Sequence, residues 1–219
     1  EASAKRNKYI TDTADRIPVM LLNGFLKADN IFCNLSDDYG AFFEATALLA
    51  EQGKKKIAFL FREATYSAKL KKAGYMDALK EYGLADTEEL VFQSKNKIQD
   101  VKLDMETFFN ANPDVDAVLA CDDELAVGVL KYLSHAKIDV PHQVAVIGCN
   151  NSVLSISCEP EMTSIDNMCE VLCVNTTEML MRVLDGQKAA NKTVVGCRLV
   201  ERATTAKTKD EENHEGKDK

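Results

Sequence analysis

The sequence predicts an α/β protein of doubly wound parallel sheets, and three observations predict it. Short apolar runs such as "KIAFLF" (56–61) are each followed by a longer segment with apolar residues at helical spacing. Glycines or a proline close several of those segments, as helix C-caps and stops do. Successive runs begin about 25 to 35 residues apart, the size of a βαβ unit.

Taken in order, residues 3–15 form a mostly polar helix, and 17–22, "IPVMLL", read as a strand buried on both faces. A short strand at 30–34 follows. Helix 37–52 carries Ala41, Phe42, Ala45, Leu48 and Leu49 on one face and ends at Gly53. Next come strand 56–61, helix 67–82 closed by Gly83, strand 89–93, helix 98–110 stopped by Pro113, and strand 117–121. The remainder reads as helix 122–135, strand 144–148, a polar loop 149–160, helix 167–184 closed by Gly186 and a last strand 193–200. The tail 206–219 is polar and charged, a composition expected to stay disordered.

Composition bounds the function. The chain has 219 residues and a net charge of −8, so its surface as a whole repels phosphate backbones and any nucleic-acid contact must come from elsewhere. No apolar run approaches the ~18 residues of a membrane span. Seven cysteines are an odd set without a C-x-x-C pair, which favours reduced, buried thiols in a cytoplasmic protein. The three histidines are scattered, so no zinc site is expected.

In open parallel sheets ligands bind beyond the carboxyl ends of strands, where helices also present their amino ends. Polar residues stand at four such ends: Asn23, the "FREATYS" segment (61–67), the acids of "ACDDEL" (120–125), and Asn150 with Asn151. A small polar ligand in a crevice needs such a set.

Several segments, in order, resemble the effector-binding domain of the LacI/GalR family of bacterial transcription regulators. They are "IPVMLLNG" (17–24), "SDDYGAFFEATALLAEQGKKKIAFL" (36–60), "YSAKLKKAGYMDAL" (66–79), "ACDDELAVGVLKYL" (120–133), "VPHQVAVIGCNN" (140–151), "EPEMTSID" (159–166) and "LVERATT" (199–205). The resemblance covers about residues 5–205. It implies two doubly wound parallel-sheet lobes of the type I periplasmic-binding-protein kind, a ligand in the cleft, a homodimer and an amino-terminal helix-turn-helix headpiece. The chain opens Glu1-Ala2-Ser3, on the helix before "IPVMLL". The headpiece and the start of the first lobe are therefore expected to be missing, leaving that lobe incomplete. Residues 1–34 are assigned to the remainder of the N-terminal lobe, and 35–160 mostly to the C-terminal lobe with crossover elements at about 35–55. Residues 161–205 form the crossover, a helix and a strand.

By motif position the resemblance implies ligand contacts at Asn23, Lys71, Asp122 and Asn150. Lys71 stands where the family commonly has Arg, Asp122 where it has Asn, and Asn150 where it has Asp, so one carboxylate and one amide exchange places. Cys149 replaces a usual aromatic. Each contact has a plainer alternative: Asp122 as an N-cap, Lys71 as a solvated helix lysine, and Asn23 and Asn150 as turn residues. Asp123 and Glu124 are expected to cap the helix that follows, and Asp37 with Asp38 the helix at 37–52.

The expected function is therefore sensing of a small polar, sugar-like effector, with operator DNA gripped only through the missing headpiece. The alternative is a solute-binding protein of a sugar ABC transporter. An enzyme holding magnesium on Asp122 and Asp123 is the third reading, but no G-x-x-x-x-G-K phosphate loop occurs. No catalytic residue, metal, cofactor or membrane partner is expected.

Overall fold

The computed structural model describes residues 2–84, 88–94 and 97–205. The expected disordered tail lies outside them. The chain divides into two compact units, Glu1–Asp37 with Asn167–Cys197, and Asp38–Asp166 with Arg198–Lys219.

Unit 1 is a small parallel sheet with two helices. Strand β1 (Val19–Leu22) pairs with β2 (Ile31–Ser36), and β2 with β8 (Lys192–Val195), in the order β1-β2-β8. Helix α1 (Ala2–Ala14) precedes β1, and α7 (Cys169–Leu184) packs on β1 and β2. Ala14, Ile31 and Cys33 centre the core under α1, flanked by Ile10, Val19 and Leu21. The run at 17–22 is not buried on both faces: Ile17 and Leu22 are exposed, and β1 has one strand neighbour.

Unit 2 holds a six-stranded sheet in the order β4-β3-β5-β6-β7-β9. Its strands are β3 (Ile57–Phe61), β4 (Val91–Gln93), β5 (Ala117–Ala120), β6 (Ala145–Cys149), β7 (Thr163–Asp166) and β9 (Arg198–Val200). All pair in parallel except β9, which runs antiparallel to β7. Helix α2 (Asp38–Glu51) packs on α3 (Tyr66–Glu81), and α4 (Ile98–Ala111) on α5 (Asp123–Ala136). Gly74 permits the first crossing, since a Cβ there would run into the Tyr39 carbonyl. The core strands β3, β5 and β6 are buried almost throughout, which explains their unbroken apolar runs.

Three expectations need correction. The run read as one strand at 193–200 is two, β8 in unit 1 and β9 in unit 2, with the residues between them outside either sheet. The loop at 149–160 contains a short helix, α6 (Val153–Ser157), capped by the Ser152 hydroxyl. Strand β7 was missing from the periodicity because Thr163 and Ser164 are polar yet fully buried.

The strand order locates a site. From β3 the chain winds outward to β4 and then returns to β5 on the other side, so the winding reverses between β3 and β5. In open α/β sheets that reversal opens a crevice at the carboxyl ends of the two strands. Arg62 follows β3 there, and Cys121 and Asp122 follow β5.

Candidate functional site

Asp122 is the hub of this crevice. Its backbone is extended (φ −151°, ψ 161°), making it the N-cap of α5, and its Oδ1 accepts from the Leu125 amide at 2.8 Å. The other oxygen, Oδ2, accepts from Arg62 Nε at 3.0 Å, while Arg62 Nη2 donates to Glu124 Oε2 at 2.9 Å. Gln93, the last residue of β4, donates its amide to the Arg62 carbonyl at 2.7 Å and so holds the loop that carries the guanidinium. Cap and ion pair therefore coexist on one carboxylate, and the capping duty expected of Asp123 falls to Asp122.

Asp123 does something else. It is 2% exposed, and its Oδ2 accepts from the Ser152 amide at 2.7 Å and the Ser152 hydroxyl at 2.8 Å, while Oδ1 accepts from the Ser164 hydroxyl at 2.6 Å. It thereby fastens the end of β5 to the loop after β6 and to β7. Gly148 makes room for this carboxylate, which a Cβ would strike. In the fastened loop Asn150 and Asn151 both take positive φ, 105° and 46°, a conformation asparagine tolerates better than most residues. Asn151 Oδ1 accepts from Arg202 Nη2 at 2.7 Å and the Asn150 amide donates to the Ile165 carbonyl at 2.8 Å, so the turn is tied at both residues.

Lys71 lies behind the crevice instead of on a solvated helix face. It is 7% exposed, and its ammonium donates to the Cys121 carbonyl at 3.0 Å and Cys149 Sγ at 3.3 Å. Asp38 Oδ1 stands 3.7 Å away, and the Phe42 ring centroid 5.2 Å. Burial opposes this charge, but Cys149, Cys121 and Asp38 together outweigh it and hold the Lys71 pKa above its usual 10.5. Burial also raises the Cys121 and Cys149 thiols, Lys71 acting against it in both, so neither is a thiolate nucleophile at neutral pH. Asp38 is buried and paired with Lys71, a role beyond the expected helix cap.

Two depressions meet at Asp122. One, of about 280 Å³, is lined by Arg62, Glu63, Thr65, Ser67, Lys71 and Asp122 among others. The second, of about 450 Å³, is lined by Asp122, Glu124, Asn150, Ser152 and their neighbours. The structure thus brings Lys71, Asp122 and Asn150 to one end of the unit 2 sheet. Asn23 belongs to unit 1, where φ is 50° and its Oδ1 accepts from the Ser36 amide at 2.8 Å, joining the ends of β1 and β2. Arg62 was expected here only as part of the "FREATYS" segment and was not named as a contact. Its signal was legible, a charged residue directly after the apolar run "KIAFLF" at a strand's carboxyl end. Among the described residues no cluster of three or more His, Cys, Asp or Glu could hold a metal ion, and no helix is long and apolar enough to cross a membrane.

Residues 46–205 match the model of the periplasmic binding protein-like domain. The chain belongs to that family. Within it, the domain resembles transcription regulators of the LacI/GalR kind. An HTH-type transcriptional regulator of Lachnoclostridium phytofermentans is 40% identical over 205 residues, 94% of this chain and 62% of the relative. The chain thus spans less than two thirds of that relative's length. A sugar-binding LacI-family transcriptional regulator of Escherichia coli, solved with phosphate, superimposes with a TM-score of 0.80 at 26% identity over 90% of this domain and 72% of that chain. The transcriptional regulator CelR in complex with cellobiose does so with a TM-score of 0.78 at 25% identity, over 84% and 58%. The relatives are transcription regulators, which favours that reading of the domain over a transporter's binding protein.

Proposed function

We propose that this domain senses a small, sugar-like effector and, through a helix-turn-helix headpiece on the same polypeptide, controls the grip of a cytoplasmic LacI/GalR-type regulator on operator DNA. The observation that carries the proposal is the likeness, over nearly the whole domain, to transcription regulators, one of them solved with a disaccharide. The effector contacts are proposed at Asp122 and Asn150, which share a depression, with Lys71 behind them; Asn23 of unit 1 is proposed as a contact by its motif position alone. Seven cysteines, three of them buried, suit a reducing compartment. The domain works by binding and not by turnover, and effector binding changes the balance between two arrangements of the protein that differ in DNA affinity.

Reading the gene upstream of Glu1 tests the regulator: an in-frame helix-turn-helix is expected, and a cleavable signal peptide in its place would sink the proposal. A thermal-shift screen of neutral sugars, nucleosides and sugar phosphates tests the sensing. A ligand at 100 times its Kd adds about 2.7 kcal/mol of stability, which such a screen resolves.

Self-association is proposed through α6 and the groove it forms with α5. Val153 and Ile156 are 70% and 56% exposed, and beside them Val127, Leu130 and Leu154 line a depression of about 550 Å³. A symmetric pair of such faces would cover apolar surface on both copies.

A further inference from the structure

We infer that Arg62 is the ligand-facing cation of this site, and that Arg62 and Asp122 together read a vicinal diol on a neutral sugar. The inference rests on the sensing role proposed above and names the residue and the ligand chemistry within it.

Lys71 is the cation that motif position offers, yet its ammonium is occupied by the Cys121 carbonyl, Cys149 Sγ, Asp38 and the face of Phe42. It binds α3 to the ends of β5 and β6. Arg62 lines the same 280 Å³ depression from the loop after β3, with its side chain 26% exposed. It stands at the reversal of winding, where open sheets bind ligands.

The chemistry of the pair defines the ligand. A guanidinium donates in a fixed fork and accepts nothing, while an ionised carboxylate accepts and donates nothing. A sugar hydroxyl does both. Two neighbouring hydroxyls can therefore accept from Arg62 and donate to Asp122 at once, a match that a single hydroxyl or an isolated carbonyl lacks. Charge narrows the class further. Asp122 and Glu124 both pair with Arg62, and Asp38 pairs with Lys71, so the cations of this depression already face three carboxylates, with Glu63 also on its wall. A phosphate group entering here meets neutralised cations and an excess of carboxylates, whereas an uncharged polyol meets no such opposition.

Titration calorimetry on the intact chain with glucose, galactose, cellobiose and glucose 6-phosphate tests this. At least one neutral sugar is expected to bind, and glucose 6-phosphate more weakly than glucose. Arg62→Ala is expected to weaken the bound sugar about 10- to 100-fold, as loss of a charged hydrogen-bond donor does, with Arg62→Lys between it and the wild type. Circular dichroism confirms that each variant is folded. Monodeoxy analogues of the bound sugar supply the decisive contrast. The wild type should discriminate against loss of either hydroxyl of one vicinal pair, and Arg62→Ala should lose that discrimination. Unchanged affinity in folded Arg62→Ala, or tighter binding of glucose 6-phosphate than of glucose, overturns the assignment while leaving the sensing role intact. Failure of every sugar, nucleoside and sugar phosphate to bind the wild type overturns both.

Discussion

Asp122 and Asp123 are adjacent, chemically identical and differently employed. Asp123 is enclosed among neutral donors, and Asp123→Ala would leave the Ser152 amide and two hydroxyls without their acceptor. A loss of about 2 to 4 kcal/mol is expected by denaturant unfolding. Asp123→Asn keeps an acceptor for Ser152 and should cost less; equal losses would show that volume, not hydrogen bonding, sets the effect. Gly148→Ala should destabilise by about 1 to 3 kcal/mol, because its Cβ meets the same carboxylate and Met162. At Asp122 the cap and the ligand role can be separated. Asp122→Ser retains a capping oxygen and should recover most of the ~1 kcal/mol that Asp122→Ala loses. It should not recover effector affinity, and recovery of both by serine would reduce Asp122 to a cap. The sequence marked this acid cluster as a site but assigned the cap to the wrong neighbour. Residue type and position are the same for both readings, and only the turn of the backbone at 122 decides which carboxylate faces the helix's amides.

Elements were legible to the extent that burial followed a simple period. The unbroken runs of β3, β5 and β6 and the apolar stripes of α2 and α5 lie where the pattern placed them, within a residue or two. The failures share a physical cause. Thr163 and Ser164 satisfy their hydroxyls within the fold, Thr163 with Thr205 and Ser164 with Asp123, so β7 is buried without being apolar. Strands β8 and β9 are too short to carry a period, and the divide between them is made by partners distant in sequence. Helix α6 is five residues long and lies in a stretch rich in turn formers. Its exposed Ile156 gives an element-scale prediction. Ile156→Asp is expected to shift a dimer toward monomer in sedimentation velocity with little change in folded stability. A wild type that sediments as a monomer at high concentration would remove the proposed interface.

At the scale of the whole molecule the two units differ in how much core each possesses. Unit 2 encloses β3, β5 and β6 between helix pairs, whereas unit 1 centres on Ala14, Ile31 and Cys33 and leaves Leu22, Val174 and Leu184 exposed. Amides of β1 and α1 should therefore exchange with deuterium well before those of β5 and β6, and equal protection would contradict this division. Unit 2 also carries an alkaline liability. Cys121 and Cys149 have folded pKa values raised above 9.0, and Lys71 above 10.5. Above pH 9 the unfolded chain loses thiol protons that the folded chain keeps, so the stability present below that pH declines as pH rises. Cys149→Ala should flatten the decline between about pH 9 and 11; an unchanged slope would mean that the thiols are not its source. The division of duties between neighbouring acids has a consequence for how the domain can be altered. On the binding role proposed for Asp122, substitution at 122 would retune what is bound at the expense of a helix cap, while 123 keeps the scaffold standing. A change of effector could then be made at one position of this acid pair without disturbing the fastening held by the other.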